Sequence, residues 1–201
     1  MTQTSEIVNL LTVRKGHFRY ESGHHGDLWL ELDGLYVHAH RLRPFVGELA
    51  KRLAAHRVEA VCGPMVGGAF LAQMIAQELD VEFYFAEQFN RAASDALYPV
   101  GYRIPSGLRS GVRGKRTAVV DDVINAGSAV RGAFAEVKLC GARPVALGAL
   151  LVLGNRASLF AANEGVELES LASLPSVLWE PSACPLCAAG AALEGIAAQM
   201  Q

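Results

Sequence analysis

The chain has 201 residues, 51% hydrophobic and 19% charged, with a formal net charge of −2. That is ample material for a core and argues against disorder, and without a Lys/Arg-rich run it argues against a nucleic-acid surface. The start MTQTSEIVNLL shows no basic segment leading into a long apolar one, and the longest apolar stretch, Val145–Leu153, is too short and Gly-interrupted to span a bilayer. A cytoplasmic chain with no membrane or nucleic-acid partner is therefore expected.

In chain order, a short amphipathic segment at Ile7–Val13 precedes Gly/His-rich turns and an apolar run at Leu28–Leu32. Leu42, Phe45, Val46, Leu49 and Leu53 recur at helical spacing within Arg41–His56. Val58–Cys62 reads as a strand, Ala69–Leu79 as a helix and Val81–Ala86 as a second strand. Residues 90–114 carry little periodicity and read as a long loop, the kind that is usually functional. A strand at Arg116–Asp121, a helix at Gly127–Leu139 stopping before Gly141, and a strand at Pro144–Leu153 follow. After Asn155 come a short helical stretch, an alternating segment Val166–Leu171 and a Pro/Ala-rich tail. The alternation of strand and helix predicts an α/β fold with a parallel sheet. Ligands bind such sheets beyond the carboxyl ends of the strands.

Two strand ends carry unusual chemistry. In the segment Thr117–Ala129, apolar residues run into Asp121 and Asp122, then into the small loop Asn125, Ala126, Gly127, Ser128, Ala129 and a helix. Two acids at a buried strand's end need partners; a pair of sugar hydroxyls or a hydrated Mg²⁺ would serve. The loop and the helix start offer backbone N–H groups to a phosphate. The second strand end is Cys62-Gly63-Pro64-Met65-Val66-Gly67-Gly68, whose glycines let the backbone approach a ligand closely. Alone it is equally an ordinary strand-to-helix turn.

The first of these segments resembles the motif by which type I phosphoribosyltransferases hold phosphoribosyl pyrophosphate (PRPP), and the second resembles that family's pyrophosphate loop. The stretch from Gly16 through Ser22, Gly23, His24 and His25 to Trp29 is similar to the N-terminal segment of orotate phosphoribosyltransferases, and Phe89-Asn90-Arg91 to the start of their mobile catalytic loop. The resemblance implies a parallel sheet flanked by helices, with a small hood built from about 1–39 and 157–201 around a core of about 40–156. It also implies transfer of ribose 5-phosphate from PRPP to a base, foremost orotate, with Mg²⁺ near Asp121 and Asp122. Those acids would hold the ribose hydroxyls, Ala126–Ala129 the 5′-phosphate, and Gly63–Gly68 the pyrophosphate. Arg91 and Arg103 would act on the leaving charge; His25, Trp29 and Arg156 would meet the base. A homodimer is implied too, because the mobile loop of orotate enzymes reaches the neighbouring subunit's site.

The chain departs from that pattern in one consistent way. Ala92–Leu97 holds none of the lysines or the histidine expected there, the lysine of the pyrophosphate loop is missing near Gly67, and His25 replaces a further lysine. Arg103, Arg109, Arg113 and Lys115 are the cations left to compensate. A phosphoribosyltransferase for another base, or a PRPP-binding regulator without catalysis, therefore stands beside the orotate reading. Of four cysteines, Cys62 and Cys140 read as core residues. Cys184-Pro-Leu-Cys187 can be half a zinc site, but no second C-x-x-C or H-x-x-x-H lies near it in sequence, so zinc is the lesser reading.

Overall fold

The computed structural model of the protein describes residues 3–90 and 97–195. The elements in order are α1 (Gln3–Val8), β1 (Thr12–Arg19), β2 (His25–Glu31), α2 (Arg43–Ala54), β3 (Ala60–Pro64), α3 (Gly67–Leu79), β4 (Glu82–Asn90), β5 (Val100–Arg103), α4 (Arg109–Val112), β6 (Arg116–Ile124), α5 (Ser128–Leu139), β7 (Arg143–Leu153), α6 (Arg156–Glu164), β8 (Glu167–Leu174) and α7 (Pro185–Ala188).

Six strands form one sheet in the order β5-β4-β3-β6-β7-β8. All neighbours are parallel except β5, which runs antiparallel to β4. The central strands are apolar on both faces, as a sheet covered by helices on both sides requires. On one face Val61, Val120 and Leu151 pack with Leu49 and Leu53 of α2 and Leu71 and Ile75 of α3. On the other, Cys62, Val119 and Leu147 pack with Val130, Phe134 and Val137 of α5 and Phe160 of α6. Strand periodicity sorts the layers: Val61 and Cys62 are adjacent in sequence and buried on opposite faces.

Three elements differ from the sequence expectation. The long loop at 90–114 contains the strand β5 and the short helix α4. The alternating segment placed with the hood is β8, the edge strand of the main sheet, paired with β7 from Ala146↔Glu167 to Leu153↔Leu174. Its burial does not alternate: the adjacent Leu171 and Ala172, on opposite faces, are both buried, while Glu167 and Ser173 are exposed. The Gly/His-rich turns are most of a twisted antiparallel hairpin, β1–β2, with a register shift between Lys15 and Phe18. The C-terminal tail returns to this hairpin, through a bridge between His25 and Trp179 and another between Phe18 and Glu194. N- and C-terminal segments thus meet over the carboxyl end of the sheet.

Candidate active site

Because β3 and β6 are neighbours, the turn after β3 lies against Asp121 and Asp122, near the carboxyl end of β6, which runs on to Ile124. The contact is close enough to dictate glycine. A Cβ on Gly67 would overlap the Asp122 carboxylate, one on Gly68 would meet Asp121 Oδ1, and one on Gly63 would run into the backbone of Gly68. This last overlap cannot be relieved by a rotamer change. The Met65–Val66 peptide within this turn is cis.

Asp122 is 4% exposed, and Asp121 opens onto the wall of a cleft. Among the described residues neither acid forms an ion pair. Their local support is the backbone: the Asp122 N–H donates to Asp121 Oδ1 at 3.1 Å and the Val123 N–H to Asp122 Oδ1 at 2.8 Å. Burial, followed by the neighbouring carboxylate, pushes Asp121 well above the usual carboxylate range, and burial raises Asp122 as well. The Tyr36 hydroxyl sits beside Asp122, makes no regular hydrogen bond and is raised by burial and the two acids. The arrangement is poised for hydroxyl donors or a cation.

The cleft has a volume of about 310 Å³. Asp121 and the loop Asn125–Ala129 form one wall, and Tyr20, Glu21, Ser22 and Trp29 of the hood form the other. Gly127 adopts φ 79°, a left-handed conformation that suits glycine, and turns the chain into α5 at Ser128. The free N–H groups of that helix start face the loop. Tyr20 and Trp29 stack at 6.2 Å with an interplanar angle of 8°, an apolar ledge of the kind that receives a flat ring. A second depression, of about 400 Å³, is bounded by Tyr36, Val66, Gly67, Phe70 and Asp122.

Sequence reading missed several of these residues. Tyr20 and Glu21 lack a signature of their own and gain a role only when the hairpin folds over the sheet. Glu21 accepts from Ser128 Oγ at 2.7 Å and from the Tyr102 hydroxyl at 3.1 Å, and so adds a second carboxylate to the cleft beside Asp121. Arg131, one turn into α5, stacks its guanidinium over Phe160 at 4.4 Å and Tyr98 at 5.5 Å. Its buried Nε and the buried Asn125 Oδ1 have no hydrogen-bond partner, and both flank the small loop. The unpaired Arg131 Nε–H, a donor beside a loop of free N–H groups, fits a phosphate-bearing ligand, whereas Asn125 Oδ1 only accepts and suits a hydroxyl donor.

The structure separates other expected residues from the cleft. His25, expected with Trp29 at the base, begins β2 four residues earlier and gives its ring to the C-terminal tail: its Nδ1 lies 3.2 Å from His17 Nε2 and 3.3 Å from Cys187 Sγ. Arg103 places its guanidinium over the Phe89 ring at 4.7 Å and borders a different depression. Arg109 is paired with Glu136 at 2.5 Å and Lys115 with Glu82 at 2.8 Å, while Arg113 is exposed at the end of α4. None of these four cations lines the cleft. Arg156 is the first residue of α6, and its charge, after burial, helps hold His24 below the usual imidazole range. Arg91 lies outside the described residues.

Comparison with known proteins agrees with this architecture. Residues 43–166 match the family model for the phosphoribosyl transferase domain. A protein named orotate phosphoribosyltransferase from Caldanaerobacter subterraneus is 29% identical over 184 residues, covering 90% of this chain and 88% of the relative. One of the same name from Thermotoga petrophila is 33% identical over 180 residues, covering 88% and 87%. Among solved structures, orotate phosphoribosyltransferase from Aeropyrum pernix superposes with a TM-score of 0.62 at 22% identity, covering 86% of this chain and 94% of that one. Adenine phosphoribosyltransferase from Trypanosoma brucei gives a TM-score of 0.64 at 18% identity, covering 85% and 79%. At these identities the structural matches speak for the fold.

Proposed function

Since the chain belongs to the phosphoribosyltransferase family, we propose that it joins orotate to the ribose 5-phosphate of PRPP, releasing pyrophosphate and forming orotidine 5′-phosphate. The observation that carries this reading is the adjacency of Asp121 and the Asn125–Ala129 loop in one cleft, roofed by the Tyr20–Trp29 ledge, with Asp122 on the neighbouring depression beside the Gly67 turn. Relatives named for orotate at 29% and 33% identity support the choice of base. In this reading the chain works in the cytoplasm, in pyrimidine nucleotide synthesis.

The residues divide the substrate between them. Asp121 and Asp122 accept hydrogen bonds from the two ribose hydroxyls and fix the sugar beside the loop. The N–H groups of Ala126–Ala129 hold the 5′-phosphate, with the positive end of the α5 dipole behind them. Gly63–Gly68 cradles the pyrophosphate and Trp29 meets the base face; Arg156, expected as a clamp for the base carboxylate, starts α6 outside the lining of the cleft. The pair of acids, raised by burial and without an ion-pair partner among the described residues, fits Mg²⁺ carried in with PRPP. The ion would supply charge balance for the departing pyrophosphate. The protein contributes position and electrostatic support for an anomeric carbon that becomes positive as its bond breaks.

One observation favours a second reading. Three carboxylates and, among the described residues, no Lys or Arg line the two depressions. That is poor company for an anionic base and better suited to a neutral base, or to PRPP binding without turnover. Steady-state assays with PRPP, Mg²⁺ and a panel of bases decide between them. Pyrophosphate release with orotate supports the proposal; release only with an uncharged base, or PRPP binding with no release, replaces it.

A further inference from the structure

Away from the cleft, where the C-terminal tail meets the hairpin, four side chains that the proposed reaction does not use converge. His17 of β1, His25 of β2, Cys184 and Cys187 bring one ligand atom each to within 4.8 Å of one another. We propose that they bind a divalent transition metal, zinc foremost, in a closed tetrahedral Cys2His2 site that fastens the C-terminal tail to the hood.

The distances fit. Bonds of about 2.0–2.1 Å to nitrogen and 2.3 Å to sulfur put tetrahedral ligand atoms about 3.3–3.8 Å apart. Here His17 Nε2 lies 3.2 Å from His25 Nδ1 and 3.3 Å from Cys184 Sγ. Cys187 Sγ is 3.6 Å from His17 Nε2 and 3.3 Å from His25 Nδ1. The second shell agrees. His17 Nδ1 is 3.0 Å from the Ala191 carbonyl oxygen, and a carbonyl can only accept, so Nδ1 carries the proton. Nε2 therefore turns a bare lone pair into the cluster, the arrangement that orients a ligand histidine. That one lone pair faces a second imidazole and two sulfurs, more neighbours than a single hydrogen bond uses; one cation satisfies all four. Soft sulfur with imidazole selects zinc over magnesium or calcium.

The ligands also explain the topology of the hood. His17 and His25 are held on paired strands, and the tail is anchored on both sides of the cysteines by its bridges to His25 and Phe18. With two thiolates and two imidazoles the coordination is complete, so the site is structural and has no open position for substrate. Its effect on the cleft is indirect: β2 runs from His25 directly to Trp29.

The test uses the full chain purified without chelator and without a metal-affinity tag. Elemental analysis should find one zinc per chain. Exchange for Co²⁺ should give the intense visible bands of tetrahedral cobalt and a thiolate-to-cobalt charge-transfer band. Cys187→Ser, at the exposed edge of the cluster, should weaken or abolish that charge-transfer band, and His17→Gln should lower metal content while circular dichroism confirms that the sheet is folded. Chelation should lower the melting temperature of wild type and leave Cys187→Ser nearly unmoved. A reduced, folded wild-type chain that holds less than a tenth of an equivalent of zinc, and binds Co²⁺ without a charge-transfer band, overturns the proposal. So does a native chain whose two thiols are titrated only after reduction, since that would make the pair a disulfide.

Discussion

At the scale of single residues, Asp121 and Asp122 show a site whose cost is visible before any ligand arrives. Their carboxyls are raised above the unfolded values by burial. A raised group's stabilising share is fully present below the unfolded pKa, about 3.9, and is lost as pH rises toward the folded one. At neutral pH the pair therefore weighs against the fold until hydroxyl donors or a cation offset it. Asp122→Asn should accordingly melt higher than wild type without ligand at neutral pH, by about 2–4 °C for each kcal/mol relieved, and that gain should shrink toward pH 4. The same variant should bind PRPP with Mg²⁺ about ten- to a hundred-fold more weakly, because a hydrogen bond to a charged group is worth about 1.5–3 kcal/mol. Scanning calorimetry over pH and titration calorimetry measure the two effects; equal PRPP affinity would sink the ribose assignment. Gly63→Ala tests the geometry instead. Its Cβ meets the Gly68 backbone, so the turn must move, and pyrophosphate affinity should fall while Asp121 and Asp122 keep their identity. Unchanged pyrophosphate inhibition in a steady-state assay would mean that the turn is not the cradle.

At the scale of elements, the strands and helices that fill the middle of the sheet were legible because burial on two faces leaves long apolar runs, as in Ala146–Leu153 of β7. The acidic strand end and its loop were legible for the same reason: Asp121 and Asp122 interrupt such a run. What sequence did not reveal depends on partners distant along the chain. The strand β5 exists through its pairing with β4, and β8 through its pairing with β7. The fourfold cluster was hidden because His17 and His25 are separated from Cys184 and Cys187 by most of the chain, and only the hairpin brings the histidines together. Charge was misplaced for a related reason. Arg109 looks free in sequence, yet it is spent on the buried Glu136, which also accepts the Ile104 N–H at 3.1 Å. That pairing couples α4 and the end of β5 to α5. Glu136→Ala should leave the Ile104 N–H without its acceptor, while the well-exposed Arg109 turns to solvent, and destabilise the chain by about 1–3 kcal/mol through that buried N–H. Urea unfolding would register it, and an unchanged midpoint would show that this tie is not needed. Arg103, stacked on Phe89, should by contrast leave turnover nearly unaltered when replaced by alanine.

At the scale of the whole molecule, positive charge for PRPP and pyrophosphate has few local sources. The lining residues described carry carboxylates and no Lys or Arg, and the chain's net charge is −2, so long-range attraction is weak. Mg²⁺ carried in with PRPP would meet part of the need. We propose that Arg91, from a second copy in a two-fold dimer, meets another part, as the resemblance to orotate enzymes implies. Closed two-fold dimers are the commonest homo-oligomers, and each brings the same segment of one copy to the same place on the other. Light scattering should then give twice 21.4 kDa at micromolar concentration. Arg91→Ala should lower turnover by about a hundred- to a thousand-fold, the usual loss for a donor aimed at transition-state charge, with PRPP affinity less affected. The decisive measurement mixes Arg91→Ala with Asp122→Asn after reversible dissociation. In a hybrid dimer one cleft has its own Asp122 and receives Arg91 from the other copy, so about a quarter of all sites should regain activity. A mass of 21.4 kDa, or a mixture no more active than its two components, would place Arg91 in its own chain's cleft or out of the reaction.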